Sequence, residues 1–68
     1  MKKELIINGE KTFVSSKTLF KILEEINIAI NSNIAIAVND KVIEKNFWKK
    51  YKIKSGDMIE IVHPLKGG

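Results

Sequence analysis

The stretch KELIINGEKTFV, residues 3–14, decides the start of the fold. It contains two short runs typical of β-strands, separated by Asn8 and Gly9. An Asn-Gly pair tolerates the positive φ angles of a tight two-residue turn. The stretch therefore predicts that the chain opens with a β-hairpin.

The composition predicts a single small α+β domain. The chain has 68 residues, which is too few for two hydrophobic cores. Hydrophobic residues make up 44%, and the many isoleucines favour a sheet-rich fold. Cysteine is absent, which excludes disulfides and any zinc site built on cysteine. The apolar core alone must therefore hold the fold together.

The segment TLFKILEEI, residues 18–26, predicts an amphipathic helix of about three turns. Ser15 or Ser16 precedes it at a position suited to an N-cap. Apolar residues recur at helical spacing while the charged residues between them face water. The predicted buried face consists of Leu19, Ile22, Leu23 and Ile26.

The second half of the chain predicts three more strands. IAIAV, residues 34–38, reads as a central strand, and NDKV, residues 39–42, as a turn into a short strand. An irregular connection and a turn at 55–57 precede a last strand in MIEIVHPL, residues 58–65. The order is β-β-α-β-β-β. The strand residues expected to face the helix are Ile34, Ile36, Val38, Ile59 and Ile61, and the aromatics expected in the core or at its edge are Phe47, Trp48 and Tyr51.

The residue inventory argues against an enzyme. His63 is the only histidine, and the serines sit where caps and turns need them, so neither a metal site nor a nucleophile-base pair is predicted. Nucleic acid is not predicted as a partner, because all twelve basic residues are lysine and none is arginine. No apolar run is long enough to span a membrane, and no signal peptide is recognisable, so a cytosolic location is expected.

The unusual feature is the ending, Gly67-Gly68. Two residues without side chains can extend through a channel as narrow as a backbone and present the terminal carboxylate to a partner's active site. Pro64 stops the sheet ladder just before them. We therefore expect a domain at residues 1–66 and a flexible tail at 67–68, with the chain acting as a carried substrate.

The chain resembles the ThiS family of sulfur-carrier proteins of thiamine biosynthesis, which are β-grasp domains related in fold to ubiquitin. Each matching piece is short, and together they span nearly the whole sequence. They are NGE at 8–10, Thr18 with the helix face Leu19, Ile22 and Leu23, AVN at 37–39, Trp48, GDMIEIV at 56–62, and the final Gly67-Gly68. The chain departs from the family at residues 43–45, IEK, where a VPR segment is frequent, and in the HPLK that precedes the glycines.

The resemblance implies a β-grasp fold, with a mixed sheet of four to five strands packed on one helix. It also implies that an E1-like ThiF-type enzyme uses ATP to adenylate the Gly68 carboxylate. A sulfur donor enzyme then supplies sulfur from a persulfide, giving a thiocarboxylate that serves a thiazole synthase. No cofactor is expected to bind the chain itself.

Docking to the partner is expected on the sheet face that a single helix cannot cover. Ala35, Ala37 and Val62 should lie on that face, with Leu65 at its edge. Their small or apolar side chains would let a partner approach closely.

Three other functions are compatible with the sequence. A MoaD-type carrier for molybdopterin shares the fold and tail, and a ubiquitin-like modifier shares the ending LKGG at 65–68. The third is a binding module of unrelated role, in which the terminal glycines would have no function. A neighbouring gene, conjugates on a denaturing gel, or the effect of tail deletion would separate them.

Overall fold

The computed structural model describes residues 2–28 and 33–63. They form five strands, one α-helix and one 3₁₀ helix, which confirms the predicted order β-β-α-β-β-β. The elements are β1 (Lys3–Ile7), β2 (Glu10–Val14), α1 (Leu19–Glu25), β3 (Ala35–Val38), β4 (Lys41–Ile43), the 3₁₀ helix (Lys45–Phe47) and β5 (Met58–Val62). The predictions made for Leu65, Gly67 and Gly68, and the boundary after residue 66, lie outside the described residues.

The opening hairpin forms as predicted. β1 and β2 pair antiparallel, with Leu5 opposite Thr12, around a turn in which Asn8 has φ 50° and Gly9 has φ 82°. Positive φ at both turn residues gives the twist that two right-handed strands need. The local sequence is therefore sufficient to specify this hairpin.

A second two-residue turn joins β3 to β4, and it contains no glycine. Asn39 and Asp40 take φ values of 51° and 68°. Both polar atoms of the Asn39 side chain are hydrogen-bonded. Its Oδ1 accepts from the Met58 amide at 3.0 Å, and its Nδ2 donates to Asp57 Oδ1 at 3.1 Å. Contacts with Asp57 and with Met58, the first residue of β5, thus stabilise a backbone conformation that is uncommon for residues other than glycine.

The five strands form one mixed sheet in the order β2-β1-β5-β3-β4. β5 runs parallel to β1 and antiparallel to β3. The prediction that Ile34–Val38 is the central strand is therefore wrong, since β5 is central and β3 begins at Ala35. β2 already occupies one side of β1, and β4 occupies one side of β3. β5 pairs with the free side of each and so joins the two hairpins.

The helix begins later than predicted. Thr18, not Ser15 or Ser16, is the N-cap, and its Oγ1 accepts a 3.3 Å hydrogen bond from the Lys21 amide. Thr18 is fixed at this position by an isolated antiparallel bridge to Lys52. A contact with a distant part of the chain therefore selects the cap among three hydroxyl residues that lie within four positions of sequence.

The helix is also shorter than the three turns predicted, at seven residues. It ends because Asn27 adopts φ 64°, and the last turn is closed by bonds from the Asn27 amide to the Glu24 carbonyl and from the Ile28 amide to the Leu23 carbonyl. A residue in the left-handed conformation is a common way for a helix to stop.

Ser15 and Ser16 instead bind the carboxylate at the end of the helix. Both backbone amides and both hydroxyls donate to Glu25, and the shortest bond is 2.7 Å from Ser16 Oγ to Oε1. The Ser16 hydroxyl, followed by the Ser15 amide, lowers the pKa of Glu25 below its ordinary value. This serine clasp joins the β2–α1 connection to the C-terminal end of α1.

The core lies between α1 and one face of the sheet. Leu19, Ile22 and Leu23 are fully buried in it, as predicted for the helix. The strand residues Ile36, Val38, Ile59 and Ile61 oppose them, also as predicted. Ile26 and Ile34 are only partly buried and pack at the margin of the core.

The three aromatic residues of the connection between β4 and β5 have different environments. Trp48 is 1% exposed, and its Nε1 donates to the Ile43 carbonyl at 2.9 Å, so it belongs to the core. Tyr51 packs against the core at its edge. Phe47 is 50% exposed, so its assignment to the core or its edge is wrong. The 3₁₀ helix turns its side chain outwards while Trp48 turns inwards.

Candidate functional site

The face of the sheet opposite the helix is exposed, and we call it the outer sheet face. It is made by the strand residues that alternate with the buried ones, because successive side chains of a strand point to opposite faces. Across the five strands these residues are Glu4, Ile6, Lys11, Phe13, Ala35, Ala37, Val42, Met58, Glu60 and Val62. Most of them are apolar.

The three predicted docking residues of the described chain lie together on this face. Ala35 is directly opposite Val62, and Ala37 is opposite Glu60 on one side and Val42 on the other. Val62 is 55% exposed and Val42 is 71% exposed. The small alanines leave the backbone of β3 accessible between two exposed valines.

Other residues of the outer sheet face did not enter the sequence prediction. Met58 and Phe13 are also more than half exposed, so the apolar surface extends from β4 to the opposite edge of the sheet. The alternation in MIEIV, residues 58–62, would have placed Met58 on the same face as Val62, since Ile59 and Ile61 are buried. Val42 and Phe13 join them only through the lateral order of the strands.

Charged groups on this face are few. Lys11 and Glu4 form an ion pair with a 3.7 Å separation between Nζ and Oε2, towards the β2 edge. Glu60 lies on β5 between Met58 and Val62, and within residues 2–28 and 33–63 it forms no ion pair. An isolated carboxylate among apolar side chains favours a partner that brings a cation to this point.

The strand that leads to the tail is held on both sides. The Asn8 amide donates to the Ile59 carbonyl at 2.9 Å, and Asn8 Oδ1 accepts from the Ile61 amide at 2.8 Å. On the other side, the Asn39 amide donates to the Met58 carbonyl at 2.7 Å. The central strand therefore carries residues 62 and 63 to the end of the sheet from a fixed position.

Neither a metal-binding cluster nor a membrane-spanning helix occurs among the described residues. No cluster of three or more histidine, cysteine, aspartate or glutamate residues that could hold a metal ion occurs among them. His63 is exposed at the end of β5. No helix in the described ranges is long and apolar enough to cross a membrane. The described residues provide an exposed apolar sheet face and a strand, β5, whose end is held by hydrogen bonds.

A sequence model of the ThiS family matches residues 4–68. The chain belongs to the ThiS family. The match includes Gly67 and Gly68, which the structure does not describe. Family membership supports, in general terms, a carrier of sulfur in thiamine biosynthesis that works with a ThiF-type enzyme and the thiazole synthase pathway. It indicates a small carrier protein rather than a catalyst.

Solved structures confirm the fold expected for a ThiS family member. The crystal structure of the thiamine biosynthesis protein (ThiS) from Geobacter metallireducens superimposes with a TM-score of 0.83 at 22% identity, covering 96% of this chain and 99% of that one. The NMR solution structure of a thiamine biosynthesis protein from the same organism gives a TM-score of 0.73 at 22% identity, covering 96% and 87%. No curated protein matches the sequence significantly. The predicted β-grasp fold is therefore confirmed.

Proposed function

We propose that this protein carries sulfur for thiazole formation as a thiocarboxylate on Gly68. The observation that supports this most strongly is the ThiS family match, which runs through the di-glycine. A carboxylate is a poor electrophile, so it must be activated before sulfur can replace one of its oxygens.

The proposed chemistry takes place in the active sites of the partners. An E1-like ThiF-type enzyme brings ATP, and the Gly68 carboxylate attacks the α-phosphate and releases pyrophosphate. The terminal sulfur of a donor enzyme's persulfide attacks the acyl carbon, and AMP leaves. A thiol then reduces the acyl disulfide and releases the thiocarboxylate, whose sulfur passes to a thiazole synthase.

The chain's own contribution is presentation of the tail. Glycine at residues 67 and 68 allows the backbone to enter a narrow channel, since there is no Cβ to collide with its walls. The hydrogen bonds of Asn8 and Asn39 fix β5, so the described chain leaves the sheet at Val62 and His63 from a defined position. Precise placement of the reacting carbon is worth a large part of the rate in such reactions.

We further propose that the outer sheet face docks onto the activating enzyme. This face contains exposed apolar residues next to the end of β5, and Ala35 and Ala37 permit close approach of a partner's backbone. Exposed apolar patches of this kind are typical of interfaces. Leu65 is proposed to extend the contact towards the tail.

Intact mass spectrometry tests the carrier function. The full chain is incubated with a ThiF-type enzyme, ATP and a persulfide donor, and we expect a mass gain equal to the replacement of one oxygen by sulfur. Omission of ATP is the control, because adenylation must precede sulfur transfer. A chain that gains no sulfur, or that forms isopeptide conjugates instead, would contradict the proposal.

A second step identifies the acceptor. The thiocarboxylate form is offered to a thiazole synthase and, separately, to the large subunit of a molybdopterin synthase. We expect sulfur to be consumed by the first and not by the second. The opposite result would make the chain a MoaD-type carrier.

A further inference from the structure

The positive charge of this protein is concentrated in one segment. Residues 40–54 contain six of the twelve lysines and only two of the eight carboxylates, so this segment alone accounts for the net charge of +4. The two ion pairs found among the described residues, Lys11–Glu4 and Lys21–Glu24, both lie outside it. The charge is therefore not neutralised by contacts within the described part of the chain.

The same segment forms an apolar groove at the β4 edge of the sheet. The groove has a volume of about 490 Å³. We call it the β4 groove, and it is lined by Val42, Ile43, Glu44, Phe47, Lys50 and Tyr51. Its walls are mostly hydrocarbon, and Phe47, half exposed, has no place in the core.

The strand beside the groove is an open edge. Among residues 2–28 and 33–63, β4 is the last strand of the sheet and pairs only with β3. Within the described ranges, no backbone group from outside the sheet bonds to Lys41–Ile43, and the side-chain bond found there is the one from Trp48 Nε1 to the Ile43 carbonyl. An exposed strand edge next to apolar pockets is the usual setting in which an extended peptide adds a strand to a sheet.

We propose that the β4 groove binds an extended acidic segment of a protein partner, with an apolar side chain of that segment against Phe47 and Tyr51. Lys50 in the lining would attract an acidic residue, and the net positive charge of residues 40–54 would favour the approach of an acidic segment. The apolar walls supply the contact that fixes the peptide. Glu44 is the single carboxylate of the lining, so the acidic residues are expected to lie nearer Lys50.

A nucleic acid fits this surface less well. Phosphate recognition is best served by arginine, which the chain lacks, and by a groove lined with basic groups along its length. The lining of the β4 groove contains one lysine and four residues with apolar side chains or rings. A protein segment with both acidic and apolar residues matches both the positive charge and the apolar lining of the groove.

The proposal is independent of the carrier chemistry, and NMR titration tests it on the full chain. The probe is a short synthetic peptide in which leucine alternates with aspartate. We expect binding in the high micromolar range, with amide shift changes confined to residues 41–51. Peptides with lysine in place of aspartate, or alanine in place of leucine, serve as controls and should bind at least about tenfold more weakly.

Two variants with matched controls locate the binding site. Phe47→Ala removes the exposed ring, and Lys50→Glu reverses the charge of the lining lysine; each should weaken binding by about tenfold. Phe13→Ala and Lys17→Glu make the same changes at exposed positions away from the groove and should have no effect. Unchanged spectra outside the groove verify that each variant is folded.

Several results would overturn the proposal. They are the absence of binding at about 1 mM peptide, shift changes at Phe13, Met58 and Val62 instead of at residues 41–51, or equal affinity for the lysine peptide. A single-stranded oligonucleotide is titrated in parallel. If it shifts the same amides at lower concentration than the acidic peptide, the groove binds nucleic acid and the inference is wrong.

Discussion

The side chain of Asn8, in the first turn of the chain, accepts a 2.8 Å hydrogen bond from the amide of Ile61, in the last strand. The two residues are separated by 53 positions in the sequence. This bond crosses from the β1–β2 turn to β5 where the parallel pairing of β1 with β5 ends. Asn8 therefore has two structural roles. Its side chain bonds to β5, and its backbone adopts the positive φ angle of 50° that the turn requires.

Two substitutions of Asn8 separate these roles. Asn8→Gly keeps the positive φ accessible and removes only the side-chain bond, so we expect a loss of about 1 kcal/mol in the free energy of unfolding. Asn8→Ala also strains the turn and should cost more, by about 1 kcal/mol further. Urea denaturation measures both. Equal losses for the two variants would contradict the double role.

Truncation of the buried helix residue Leu23 should be costly. Leu23 is fully buried against the sheet, and Leu23→Ala should reduce the free energy of unfolding by about 2–5 kcal/mol through lost burial and the cavity left behind. Val42→Ala is the control, because Val42 is 71% exposed and its truncation should change stability by no more than about 0.5 kcal/mol. A loss below about 1 kcal/mol for Leu23→Ala would place the wrong face of the helix in the core.

The serine clasp predicts a specific pH dependence. Its hydrogen bonds favour the carboxylate of Glu25, so the pKa of this group is lowered in the folded state. The stabilisation is then fully present above the pKa that Glu25 has in the unfolded chain, near 4.5. It is lost as the pH falls through the lower pKa that Glu25 has in the folded protein. Glu25→Gln should be less stable than the wild type at neutral pH.

Thermal unfolding as a function of pH measures this effect. The difference between the wild type and Glu25→Gln should shrink as the pH falls below about 4.5. Glu24→Gln is the matched control, because Glu24 is one residue away and makes no contact with the clasp. A constant difference across the acidic range would show that the clasp does not depend on the charge of Glu25.

A charge introduced at Val62 should prevent docking without unfolding the domain. Val62 is 55% exposed on the outer sheet face, opposite Ala35, so Val62→Asp should weaken binding to the ThiF-type enzyme by about tenfold or more, with a thermal midpoint close to that of the wild type. Lys17→Gln lowers the net charge by the same amount away from the outer sheet face and should bind normally. Unchanged binding of Val62→Asp would exclude this face as the docking site.

Deletion of Gly68 should abolish thiocarboxylate formation. The buried core of the described chain lies between Leu5 and Ile61, so the thermal midpoint should not change. Gly68→Ala adds a methyl group beside the reacting carbon and should slow the reaction while leaving the fold intact. Mass spectrometry follows the product. A truncated chain that still accepts sulfur would show that the protein does not work through its end.

The parts of the fold that the sequence predicts are those with local causes. The Asn8-Gly9 turn, the alternation in β5 and the apolar stripe of α1 are each specified by neighbouring residues, and each is confirmed. The choice of Thr18 over Ser15 and Ser16 as the cap depends on the bridge to Lys52, which is distant in sequence. N-cap propensity alone cannot decide among Ser15, Ser16 and Thr18, which are all favourable cap residues.

The lateral position of a strand is likewise not a local property. Alternation in residues 34–38 reveals that one face of β3 is buried, but a strand beside the centre shows the same alternation as the central one. The candidate site was likewise predictable only as far as alternation within a strand determines it. Ala35, Ala37 and Val62 could be placed on one face from alternation, whereas Val42 joined them only when the order of the strands was known.

The position of β5 between the two hairpins also determines when the domain can form during synthesis. β1 pairs with residues 58 and 59, about fifty positions further along the chain, so a nascent polypeptide holds two separate hairpins and an uncovered helix until β5 leaves the ribosome. Pairing over such a sequence distance is slow compared with local hairpin closure. The sheet therefore closes only after residues 58–62 have emerged, and a nascent chain that lacks them has no intact outer sheet face.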